Sequence, residues 1–125
     1  MRQFRWTLPL LVAACLMSAL AHADRFDDRF GEVLVVTHVD IDPQFVTQAQ
    51  PLLETFVNDS LNDRGVKSFI LITQEGTTNH FQLIEVFRDM RAFDAHVSAA
   101  HTITFRTNIQ PFIGAPYDER LYRAD

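Results

Sequence analysis

The stretch EVLVVTHV, residues 32–39, decides how the chain is read. It is β-branched and apolar at consecutive positions, so an extended strand here turns oily side chains to both faces of its sheet. Such a strand needs two covering layers. The next twenty-five residues supply one of them. Asp42-Pro43 opens a helix, with a carboxylate to cap free amides and a proline tolerated in the first turn. Phe45, Ala49, Leu52, Leu53, Phe56, Val57 and Leu61 recur at helical spacing until Arg64-Gly65 stops the run. Pro51 falls inside this helix and should bend it by removing one backbone hydrogen bond.

VKSFILITQE, the turn GTTN and HFQLIEVF then read as a hairpin over residues 66 to 87. Asp89 can cap the next helix. Phe93, His96, Val97 and Ala100 form one stripe, and His101, Phe105, Ile109 and Phe112 another. Five residues along an unbroken helix is a turn of about 140°, so His96 and His101 share a site only if the helix breaks between them. Two short helices meeting near residues 98–100 satisfy both stripes. Pro111 ends the second, and APYDERLYR alternates as a closing strand. Strand, helix, strand, strand, helix pair, strand is the order of an α+β, ferredoxin-like domain: a four-stranded antiparallel sheet with its helices on one face. The uncovered face implies a homodimer.

The start of the chain is of another kind. MRQFRW, the apolar run TLPLLVAACLMSAL and AHA before Asp24 have the parts of a secretory signal peptide, so residues 1–23 are expected to be removed after Ala23. That makes the protein periplasmic or secreted, with no stable membrane anchor, since the apolar run is short for a span. VAAC also resembles a lipoprotein cysteine box at Cys15, but LMSALA continues the apolar run where a polar tether should begin. Residues 24–31 read as an N-terminal extension and 32–125 as one domain. Without Arg2 and Arg5 the 11 Lys and Arg fall to 9, against 16 Asp and Glu, for a formal charge of −7. A balance that acidic argues against nucleic acid as partner. Loss of Cys15 leaves no cysteine, so stability must come from packing or a partner subunit.

Several chemistries are excluded. No nucleophile elbow is present, and glycines at 31, 65, 76 and 114 are too scattered for a nucleotide fingerprint. No cofactor is expected. Nor is a metal, because His96 and His101 miss the spacing of a helical zinc pair, and Asp42, which with His38 and Asp40 could face an ion, already has a capping role. What remains is acid–base chemistry by side chains. His96 and His101 on apolar stripes are either bases tuned by desolvation or core histidines. Glu85 shares a strand face with Phe81, Leu83 and Phe87, where it is either paired with Arg88, Arg106 or Arg120, or a general base with a raised pKa. Phe81, Phe87, Phe93 and Phe105 are read most simply as core, and alternatively, with His38, as the wall of a pocket for a flat ligand.

EVFRDMRAFDAHVSAAHTITF, residues 85–105, resembles the signature of the antibiotic biosynthesis monooxygenase (ABM) family: a strand ending Glu-x-Trp, a helix with Ala-His, a second histidine five residues on and an aromatic four beyond. Glu85, Ala95, His96, His101 and Phe105 match. Phe87 replaces the tryptophan, and Ala99-Ala100 the usual Ser-Pro. The resemblance spans about residues 32–122 and implies a dimeric α+β barrel. It implies, too, a cofactor-independent monooxygenase oxidising a quinol, anthrone or similar phenol with O2, His96 acting as base or donor with His101 and Glu85 in support. The haem-degrading branch has its axial histidine where Arg106 stands, so that ligation is not expected. The alternative is a non-catalytic dimer that binds an aromatic ligand or haem.

Overall fold

A computed structural model describes residues 31–123; the expected signal peptide and nearly all of the N-terminal extension lie outside the described residues. Four strands form one antiparallel sheet in the order β2-β3-β1-β4. They are β1 (Val33–Asp40), β2 (Val66–Thr73), β3 (His80–Phe87) and β4 (Asp118–Arg123). Helix α1 (Val46–Ser60) links β1 to β2, and α2 (Met90–Ser98) and α3 (Ala100–Ile109) link β3 to β4. This is the expected ferredoxin-like α+β arrangement. No helix among the described residues is long and apolar enough to cross a membrane.

Local chemistry sets the boundaries. Asp42 accepts a hydrogen bond from the Gln44 amide at 3.1 Å, so the chain enters α1 through a single tight turn, Pro43–Phe45. Pro51 lies inside α1 without ending it. Gly65 has φ +88°, and a Cβ there would stand 2.6 Å from the Cβ of Ala92. Only glycine lets the end of α1 lie this close to α2. The Arg88 amide donates to the Gly65 carbonyl at 2.8 Å, fixing the loop to the end of β3. Asp89 caps α2 through the Ala92 amide at 2.8 Å. The hairpin differs from expectation in its loop: β2 ends at Thr73 and six residues, 74–79, make the connection. Gln74 is drawn into the loop because its carbonyl accepts from Thr77 at 3.1 Å while its amide still donates to His80.

The strand alternation sorts side chains by face. Val33, Val35, Thr37 and Val39 of β1 and Phe81, Leu83, Glu85 and Phe87 of β3 all point toward the helices and are buried. Ala49, Leu53 and Phe56 of α1, Ala92 and Phe93 of α2, and Phe105 and Ile109 of α3 close over them. The opposite face carries Leu34, Ile70, Ile72 and Tyr122, which are 36–49% exposed. β1 therefore does present apolar side chains to both sides, and one of those sides has no cover among the described residues.

Candidate functional site

The helix break that the two histidine stripes require is present. Ala99 takes φ −66° and ψ 145°, an extended conformation that ends α2 and starts α3. As a result the rings of His96 and His101 come within 5.9 Å of each other, centre to centre. Between them lies a residue that sequence patterns do not single out. Asp63, in the loop after α1, accepts a hydrogen bond from His96 Nδ1 at 2.8 Å through Oδ2, and the same oxygen is 3.0 Å from His101 Nε2. That second contact lacks hydrogen-bond alignment, so buried His101 Nε2 has no hydrogen-bond partner. The His96 ring packs on Phe56, Phe69 and Phe87 at 5.5, 5.4 and 5.2 Å. Burial pulls the His96 pKa down against the opposing pull of Asp63, which favours neutral imidazole.

Glu85 forms a second cluster. It is 1% exposed, and none of Arg88, Arg106 and Arg120 makes the expected ion pair with it. Arg106 Nη2 donates to Glu119 Oε1 at 2.6 Å, Arg120 binds Asp118, and Arg88 Nε binds Asp89. A hydroxyl is its partner instead: Thr37 Oγ1 donates to Glu85 Oε1 at 3.1 Å. Glu85 Oε2 is buried with no partner, as is Arg106 Nε. Burial drives the Glu85 pKa up to about 8; Thr37 and Arg106 oppose the rise, and the nearby Glu119 carboxylate adds to it. The Tyr117 phenol is likewise pushed up, by burial and then by the Glu85 charge, and the Arg106 guanidinium lies over its ring at 5.6 Å. No sequence signal marks Thr37, Tyr117, Arg106 and Glu119 as a group, because the sheet register and α3 assemble them from separate segments.

The aromatic residues divide. Phe81, Phe87 and Phe93 are buried core, 3%, 0% and 8% exposed, and none lines the cleft. Phe87, in the tryptophan position, meets Phe93 edge to face at 5.5 Å. Only Phe105 of the four lines an opening, a cleft of about 240 Å³ between α1 and α3 that also has Leu52, Phe56, Thr104 and His101 in its walls. Phe105 stacks on Phe56 at 4.0 Å there. His38 does not join the other site residues. Its alternation places it on the uncovered face, where Gln82 Nε2 donates to its Nδ1 at 3.3 Å and His80 is paired with Asp40.

With the fold and both clusters in view, comparison with known proteins is informative. The family model described as antibiotic biosynthesis monooxygenase matches residues 32–108. The chain belongs to the antibiotic biosynthesis monooxygenase family. Its fold is similar to that of a conserved protein from Methanosarcina mazei Go1 (TM-score 0.73, 14% identity, covering 77% of this chain and 95% of that one). It is similar also to Rv0793 from Mycobacterium tuberculosis (0.72, 18%, 76% and 96%) and to a solved antibiotic biosynthesis monooxygenase (0.71, 20%, 74% and 98%). No curated protein matches. At these identities the structures share a fold with the ABM chain.

The buried carboxyl gives this ABM domain a pH-dependent stability. Below pH 4.5 Glu85 is protonated in folded and unfolded chains alike. From 4.5 to about 8 the unfolded chain ionises it and the folded chain does not, so stability is lost across that window and the loss is complete above it. The shift corresponds to a ceiling of roughly 5 kcal/mol. Glu85→Gln should therefore stabilise the protein more at pH 9 than at pH 5, by roughly 2–5 kcal/mol of difference. Urea unfolding of both proteins at the two pH values measures it; a difference that does not change with pH contradicts the assignment.

Proposed function

We propose that this ABM protein is an exported, homodimeric, cofactor-independent monooxygenase of a quinol, anthrone or similar phenolic small molecule. One observation carries the reading: under α3 the buried, unmatched Glu85 Oε2 occurs in the same polar cluster as the buried, unmatched Arg106 Nε. Orphaned polar atoms are rare inside proteins and mark places where a polar ligand or water completes the bonding. Arg106, Tyr117 and Glu119, which surround the buried carboxyl on the side of the edge strand β4, are only partly buried.

Glu85, once ionised, is the base that removes a proton from the substrate, and the Arg106 guanidinium balances the negative charge that forms. The electron-rich anion then reduces O2 directly. For an anthrone a ring methylene becomes a carbonyl; one oxygen atom stays on carbon, and the other leaves as water with the two hydrogens. Donor and acceptor of electrons are substrate and O2, so no further redox group is consumed. The base role passes from His96 to Glu85 in this reading, because His96 Nδ1 is engaged by Asp63 and its ring is enclosed by phenylalanines. The partner subunit covers Leu34, Ile70, Ile72 and Tyr122, since an exposed apolar face of this kind marks an association surface. Export after cleavage at Ala23 rests on the sequence of residues 1–23. The α1–α3 cleft with its apolar walls supports the second reading, a binding module for an aromatic ligand.

Oxygen uptake by the purified protein with a panel of quinols and anthrones tests the chemistry. Turnover should rise with pH to a plateau above about 8, where Glu85 is ionised. Glu85→Gln should lose at least about 100-fold in kcat/KM, and unfolding does not account for that loss because the variant is the more stable protein at high pH. Tight ligand binding without uptake by any member of the panel favours the binding module. Separately, sedimentation should give the mass of a dimer, and Ile70→Lys with Ile72→Lys should shift it to monomer; a wild-type monomer contradicts the covered face.

A further inference from the structure

The Asp63, His96 and His101 cluster is left unused by the chemistry at Glu85, and its geometry is of a different kind. Its three donor atoms, Asp63 Oδ2, His96 Nδ1 and His101 Nε2, all lie within 4.8 Å of one another. We propose that these three residues form a binding site for a divalent transition-metal ion, with two imidazole nitrogens and one carboxylate oxygen as protein ligands. The site stands independently of the role given to Glu85.

Four observations support it. First, ligand chemistry: two imidazoles and a carboxylate suit zinc and its first-row neighbours, whereas calcium and magnesium are held by oxygen. Second, spacing: tetrahedral ligands at about 2.0 Å from an ion are about 3.3 Å apart. The carboxylate oxygen is 2.8 and 3.0 Å from the two nitrogens, so each of these pairs needs to part by only a few tenths of an ångström to admit an ion, and the two nitrogens lie within 4.8 Å of each other. Third, His101 Nε2 is buried and unmatched although it faces a carboxylate oxygen at 3.0 Å. A hydrogen-bonded clamp made for its own sake would align that nitrogen; a metal ion gives it a partner.

Fourth, the site is rigid where a ligand set has to be rigid. The Asp63 amide donates to Ser60 at 3.0 Å, its carbonyl accepts from Val66 at 3.2 Å, and Gly65 is tied to Arg88. Phe56, Phe69 and Phe87 fix the His96 ring. Exposure is graded: the His96 side chain is 1% exposed, those of Asp63 and His101 21% and 23%. The side chains of the outer two residues are thus partly open to solvent although His101 Nε2 itself is buried, and three protein ligands leave a coordination position for water or a small molecule. The expectation of no metal weighed the His96–His101 spacing and the His38, Asp40 and Asp42 set; the loop residue Asp63, which neither includes, supplies a third ligand atom.

Titration of the tag-free, chelator-treated full chain with Co2+, followed by visible absorption, tests the proposal. Binding should saturate at one ion per chain with a dissociation constant on the order of 10 µM or below, and Zn2+ should displace the cobalt signal. His101→Gln and Asp63→Asn should each weaken binding by about tenfold or more. His38→Gln with His80→Gln, on the other face of the sheet, should leave it unchanged. Because His101 is at the partly exposed end of the cluster, His101→Gln keeps the test decisive if Asp63→Asn unfolds. Absence of saturable binding, equal affinity in His101→Gln, or loss in the His38/His80 variant overturns the proposal.

Discussion

The helices seal one face of the sheet from water, and that face contains a carboxyl group. The chemistry proposed for the domain depends on how Glu85 is accommodated there. An ionised carboxylate is expensive to bury without a matching charge, and the nearest cation, Arg106, is already committed to Glu119. One hydroxyl, from Thr37, is the hydrogen bond that the fold supplies. The group responds by holding its proton to higher pH, which turns an ordinary acid into a base of neutral range. Stability is given up on the alkaline side in the process, a pattern expected of a group kept for chemistry more than for packing.

Much of this fold was legible in the sequence because its signals are local. Asp42-Pro43, Asp89 and Gly65 act over three or four residues and mark the helix ends where the structure has them. The break at Ala99 was legible too, since two histidine stripes cannot both face inward on one straight helix. The reading that set His38 in a pocket wall with the phenylalanines is not met: strand alternation puts it opposite Val35 and Thr37, away from Glu85.

The sites were less legible because their partners are distant in sequence. Asp63 meets His96 across 33 positions, and Thr37 meets Glu85 across 48. Nothing in Asn62-Asp63-Arg64 separates a ligand-bearing loop from an ordinary helix stop. The phenylalanines were ambiguous for another reason: an aromatic stripe has the same spacing whether it fills a core or lines a cavity, and of Phe81, Phe87, Phe93 and Phe105 it is Phe105 that borders the α1–α3 cleft, beside Phe56. Family membership narrows the fold far more than it narrows the reaction. The two polar clusters, at Glu85 and at Asp63, are therefore the features from which this chain's own chemistry has to be argued.

The central claim is that Glu85 keeps its proton at neutral pH, and carbon NMR of side-chain carboxyls tests it without reference to any substrate. With 13C-labelled glutamate, and the resonance assigned by its absence in Glu85→Gln, the carboxyl signal should titrate with a midpoint near 8. A midpoint in the ordinary carboxylate range, near 4.5, contradicts the account.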